Sequence, residues 1–196
     1  MFEIPENLPL SLAPLAWVLG RWQGWGTLAG DDDEPDAIIL QDIQAEVVGQ
    51  QMRVVTSLYH GKVEGEIDWQ MNAAAGLDLI EPGELFREET SYWRLATPLA
   101  VLPPEGEEPR ELQVTSADTQ GLATLWVGVS MGPRIRLTSD VIARDASAPQ
   151  MTTVHRMFGL VGGELFWTSE TSLDQGEPQV ELSGRLRRAS QEAEEA

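Results

Sequence analysis

The sequence predicts an all-β, antiparallel protein, a barrel or a sandwich of about ten strands, with a helix only at its start. Runs rich in Val, Ile, Leu, Thr and Trp recur after residue 20. Gly, Pro, Asp and Asn cut these runs at short intervals, and little helical periodicity lies between them. The intervening segments are mostly too short for parallel crossovers, which need about a dozen residues each.

The first element is the exception. Leu12, Leu15, Ala16 and Leu19 stand at i, i+3, i+4 and i+7, which is one face of a short helix suited to act as a lid or plug. Strands are then expected over 21–29, 37–47, 51–59, 66–72, 85–95, 110–117, 122–129, 134–145, 151–160, 164–173 and 178–188. Asp118-Thr119-Gln120-Gly121, Ser130-Met131-Gly132-Pro133 and Val161-Gly162-Gly163 read as hairpin turns. GDDDEPD at 30–36 and the stretch 96–110 read as loops. One domain over 1–188 is expected, followed by an acidic flexible tail over 189–196.

Composition narrows the function classes. The chain has 196 residues, 42% of them hydrophobic, enough for one full core. A net charge of −19, from 13 basic and 32 acidic side chains, repels nucleic acid and anionic membrane surfaces. The acidity itself reads as a solvated surface and does not select a cationic substrate. Without cysteine there is no disulfide framework, thiolate metal site or catalytic thiol. The opening segment lacks a basic leader region and is broken by Pro5, Pro9 and Pro14, and no apolar run approaches the ~18 residues of a membrane span. A cytoplasmic protein is expected.

The usual motifs of hydrolases, nucleotide-binding proteins and zinc enzymes are missing. His60 reads as a strand terminus before Gly61, and His155 lies in TTVHRMF, so both read as ordinary strand residues. Glu88 and Glu89 are adjacent on a strand and point to opposite faces, so they cannot share one acid–base site. No catalytic or metal-binding residue is expected. A barrel interior can take an apolar ligand without any such motif, with Trp69, Trp93, Trp126 and Trp167 as candidate lining or as plain core.

One stretch stands out. LAWVLGRWQGWG at 15–26 holds three of the seven tryptophans, Trp17, Trp22 and Trp25. Within it, Gly20, Trp22, Gly24 and Gly26 form a G-x-W-x-G-x-G motif. Strand alternation puts Trp22 on the side of Gly24 and Gly26, with Trp25 opposite, and the glycines leave space for an indole or a close strand. Glu89-Thr90-Ser91-Tyr92-Trp93-Arg94 and the block Glu181-Leu182-Ser183-Gly184-Arg185-Leu186-Arg187-Arg188, preceded by Gly176-Glu177-Pro178, follow in order. Together these resemble the nitrobindin family, haem-binding barrels akin in architecture to fatty-acid-binding proteins and lipocalins.

The resemblance implies a closed barrel of about ten strands, haem b as the family's cofactor, reversible nitric oxide binding and isomerisation of peroxynitrite to nitrate. It also implies a possible homodimer. In the family a closing-strand histidine ligates the iron; here that position falls on Glu181, a hard anionic group that is uncommon as a haem axial ligand. The chain therefore resembles the ferric nitrobindin-like branch, and neither haem binding nor isomerase activity is expected by the family's route. Three rival readings stand beside this one. The first is a carrier of a fatty acid or another small apolar molecule. The second is a haem protein using His155, Tyr59 or Met157 as an unusual axial ligand. The third is a filled barrel with no ligand.

Overall fold

The computed structural model describes residues 8–30, 34–97, 108–173 and 176–189. Among them ten strands wind as one antiparallel meander: β1 (Gly20–Leu28), β2 (Ala37–Val48), β3 (Gln51–Val63), β4 (Ile80–Leu95), β5 (Arg110–Asp118), β6 (Leu122–Met131), β7 (Arg134–Arg144), β8 (Thr153–Val161), β9 (Glu164–Ser172) and β10 (Gln179–Arg188). Each strand pairs with the next, and β1 pairs with β10, so the sheet closes into a barrel without exposed edges. The barrel form of the all-β expectation is the one adopted. The loops expected at 30–36 and 96–110 fall partly, and the tail residues 190–196 wholly, outside the described residues.

The hairpin turns form where the turn residues stand. Gly162 and Gly163 have φ of 61° and 86° in the two-residue loop between β8 and β9, the left-handed conformation such turns require. Asp118 closes the β5–β6 turn through its side chain, Oδ1 accepting from the Gln120 and Leu122 amides at 3.0 Å each.

The opening segment is helical but tight, a 3₁₀ helix over Leu10–Val18 with Pro14 inside it. It packs under one end of the barrel and buries Leu12 and Leu15 completely. Trp22 Nε1 donates to the Val18 carbonyl at 2.8 Å, and the Arg188 guanidinium lies 4.1 Å over the Trp22 ring and donates to the carbonyls of Trp17 and Leu19. First strand, last strand and plug are thus fastened at one point.

Three expectations are corrected. Residues 66–72 form no strand. The Asp68 side chain accepts from the Gln70 amide, and the Asn72 side chain caps a short helix, α1 (Ala73–Leu77), by accepting from the Ala75 amide. Short polar side chains compete here with strand pairing. Helix is therefore not confined to the start of the chain. His60 is not a terminus either, because β3 runs on to Val63 past Gly61, through register breaks that accommodate Pro82 and Gly83 on β4.

The apolar residues of that loop, Ile67, Met71 and Leu77, pack outside the barrel with Trp25, Leu40 and Ile80 in a second small core. Gly76 sits against the face of the Trp25 indole, where a Cβ would collide with the ring. Among the described residues no helix is long and apolar enough to cross a membrane.

Candidate functional site

The glycine motif builds the seam of the barrel. Gly24 faces the β10 backbone so closely that a Cβ would come within 2.5 Å of Leu186 Cα. Gly26 and Gly184 are register partners facing inward, and the carboxamide of Gln41 lies over both. Gln41 donates to the Ser183 carbonyl at 2.6 Å and accepts from Trp167 Nε1 at 2.7 Å. Trp25 points to the outer face, as alternation requires. The space left by the glycines is taken by a neighbouring strand and a buried amide.

The interior has two layers. Next to the plug it is apolar: Trp93 meets Phe158 edge-to-face and Phe158 stacks on Trp167, with ring centroids 5.3 Å and 5.7 Å apart. Toward the open end it is charged. Glu89 and Arg156 make a two-pronged pair at 2.5 and 2.9 Å, and Arg87 Nη2 reaches Glu181 Oε1 at 2.5 Å. These four side chains are 9–17% exposed. Arg156 also lies 4.5 Å over the Trp126 ring, whose Nε1 donates to Ser116 Oγ at 2.9 Å.

Burial opposes the charge on Arg156, but the field of Glu89, Glu181 and Asp118 outweighs it and keeps the guanidinium protonated. Asp118, at the rim, has its carboxyl raised above the ordinary aspartate range. Burial is the main cause and Glu89 adds to it, against the Leu122 and Gln120 amides and Arg87. The gap left among these side chains measures about 20 Å³ and is bounded by Thr56, Arg87, Glu89, Ser91 and Arg156 among others. Each arginine has a buried Nε without a protein partner among the described residues. Such a gap has room for about one water molecule.

Glu181 enters the interior because β10 is bulged between Val180 and Leu182. Of the expected lining residues, Trp93, Trp126 and Trp167 are inside and nearly fully buried, whereas Trp69 lies outside the barrel and is 61% exposed. Trp69 stands beside Trp25, with ring centroids 6.0 Å apart. The three rival axial ligands all leave the interior. His155 bonds Thr138 on the outer face, opposite to buried Val154; Met157 alternates with core Phe158; and Tyr59 belongs to the outer cluster around Trp25. His60 is the imidazole on the inward register, paired with buried Ile39, and it stacks on Phe86 at the open end with centroids 4.7 Å apart.

Sequence reasoning missed Arg87, Arg156 and Gln41. Their signal was parity: Arg87-Glu89-Ser91-Trp93 and Val154-Arg156-Phe158 alternate onto one face, which puts charges among core positions.

A family model described as "THAP4-like, heme-binding beta-barrel domain" matches residues 11–188. The chain belongs to this haem-binding β-barrel family. Among its relatives is a "Ferric nitrobindin-like protein" of Kineococcus radiotolerans, 36% identical over 94% of this chain and 96% of that one. A "Peroxynitrite isomerase" of Leifsonia xyli is 28% identical over 96% of this chain and all of the relative. The crystal structure of Rv2717c from M. tuberculosis superimposes with a TM-score of 0.67 at 20% identity, covering 94% of this chain and all of that one, which establishes a shared fold. Within the family's barrel, this chain's open end carries two ion pairs.

Proposed function

We propose that this chain keeps the nitrobindin barrel but does not ligate haem through its closing strand, so that peroxynitrite isomerisation is not its activity. The observation that carries this reading is the Arg87–Glu181 pair. Glu181 stands at the position the resemblance gives to the ligating histidine, and its oxygen is already engaged by an arginine 2.5 Å away. A guanidinium is a permanent cation and would repel a ferric centre drawn to the same carboxylate. The gap beside this pair, about 20 Å³, also argues against haem or a fatty acid there, since ligand pockets start at about 300 Å³. The carrier reading thus has less support than a filled barrel.

Hemin titration tests the proposal. Wild type should give no saturable one-to-one Soret band. A sharp saturable band in wild type that disappears in His60→Ala or His155→Ala would overturn it. The homodimer implied by the resemblance draws support from an outward stripe on β6, where Leu125, Val127, Val129 and Met131 are 38–47% exposed. Sedimentation equilibrium tests it, and Val127→Lys should yield a monomer.

A further inference from the structure

A second concavity lies outside the barrel, on the wall formed by β7, β8, β9, β10 and β1. Its volume is about 510 Å³, within the range of small-molecule sites. Trp69 forms one wall beside Trp25, and Phe166 and Met157 supply further apolar surface. The floor is bare backbone at Gly159: a Cβ there would meet only the Pro133 carbonyl, at 3.9 Å. The loop carrying Trp69 is tied to the wall by Arg185, which donates to Glu164 at 2.6 Å and to the Met71 carbonyl at 2.8 Å.

The rim is what selects a ligand. Arg134 and Arg136 are two apart on β7, so their side chains share the outer face about 7 Å apart. Arg185, which also lines the groove, is held by Glu164, whereas Arg134 and Arg136 have no carboxylate partner among the described residues. In a chain with net charge −19, two uncommitted guanidiniums beside an aromatic concavity are a local reversal of charge. Planar guanidinium forks match carboxylates, and indole and phenyl walls match an aromatic body.

We propose that this outer groove, and not the barrel interior, is a binding site for a small aromatic carboxylate, its ring between Trp69 and Phe166 and its carboxylate on Arg134 and Arg136. The site is independent of the ion pairs inside the barrel.

Isothermal titration of the full chain with 1-naphthoate tests this, with 1-naphthol as the uncharged control. Wild type should bind one naphthoate per chain and quench tryptophan emission. Gly159→Leu, which fills the floor without backbone conflict, should abolish binding while leaving the melting temperature unchanged. Arg134→Gln with Arg136→Gln should weaken naphthoate about tenfold and leave naphthol unaffected. Glu181→Gln, which alters only the barrel interior, should retain binding. Unchanged naphthoate affinity in Gly159→Leu would overturn the proposal. So would equal loss of naphthol and naphthoate in the arginine variants, or a wild-type dimer that Gly159→Leu turns into monomers.

Discussion

Replacing Glu89 by Gln removes one charge from the interior and little volume. Arg156 then stays buried, 15% exposed at its side chain, with an amide where its carboxylate was. Breaking a buried pair from one side costs about 3–5 kcal/mol, because the remaining ion keeps its desolvation penalty and loses its partner. Glu181 and Asp118 still attract Arg156, which puts the expected loss at the lower end, about 3 kcal/mol. For a chain of this size that corresponds to a fall in melting temperature of about 6–12 °C. Urea unfolding followed by tryptophan emission measures it. The double variant Glu89→Leu with Arg156→Met removes both charges and should recover most or all of the loss. If each single change costs less than about 1 kcal/mol and the two simply add, the pair behaves as an exposed one. The reading of a closed, desolvated interior is then refuted.

Gln41→Leu should cost about 1–3 kcal/mol in the same assay, because Trp167 Nε1 loses its acceptor and the Ser183 carbonyl its donor. The loss should be larger in Gln41→Glu, which keeps the acceptor for Trp167 but sets a buried, unpaired carboxylate oxygen against the Ser183 carbonyl. Asp118 gives a pH signature. Its folded-state carboxyl is raised, so its contribution to stability is fully present below the ordinary value of 3.8 and is lost as pH rises through the folded value. Asp118→Asn keeps the acceptor for the Gln120 and Leu122 amides, and melting curves taken just above pH 4 should lose that downward slope.

Much of the fold was legible in the sequence because a half-buried strand advertises itself. Alternation and turn residues located the ten strands of the barrel, and three glycine-containing turns marked the hairpins β5–β6, β6–β7 and β8–β9. The segment 66–72 misled because Ile67, Trp69 and Met71 alternate like a strand while Asp68 and Asn72 bend the backbone by local hydrogen bonds. The site was less legible. Glu181 can be singled out in the sequence, but its partner Arg87 is 94 residues away.

By itself, then, the sequence determined the all-β class, the hairpin connectivity, the glycine-lined seam at Gly24 and Gly26, and the absence of cysteine chemistry. These depend on local backbone preference and on which face a residue takes, both of which follow from short-range order along the chain. Tertiary structure decided the rest. Only closing the sheet brings Arg87 to Glu181 and Arg156 to Glu89, puts Trp69 outside beside Trp25, and sets Arg134 and Arg136 at the rim of an apolar groove. Such pairings are set by strand register around the whole barrel, and a shift of one residue would have turned every one of these side chains to the opposite face.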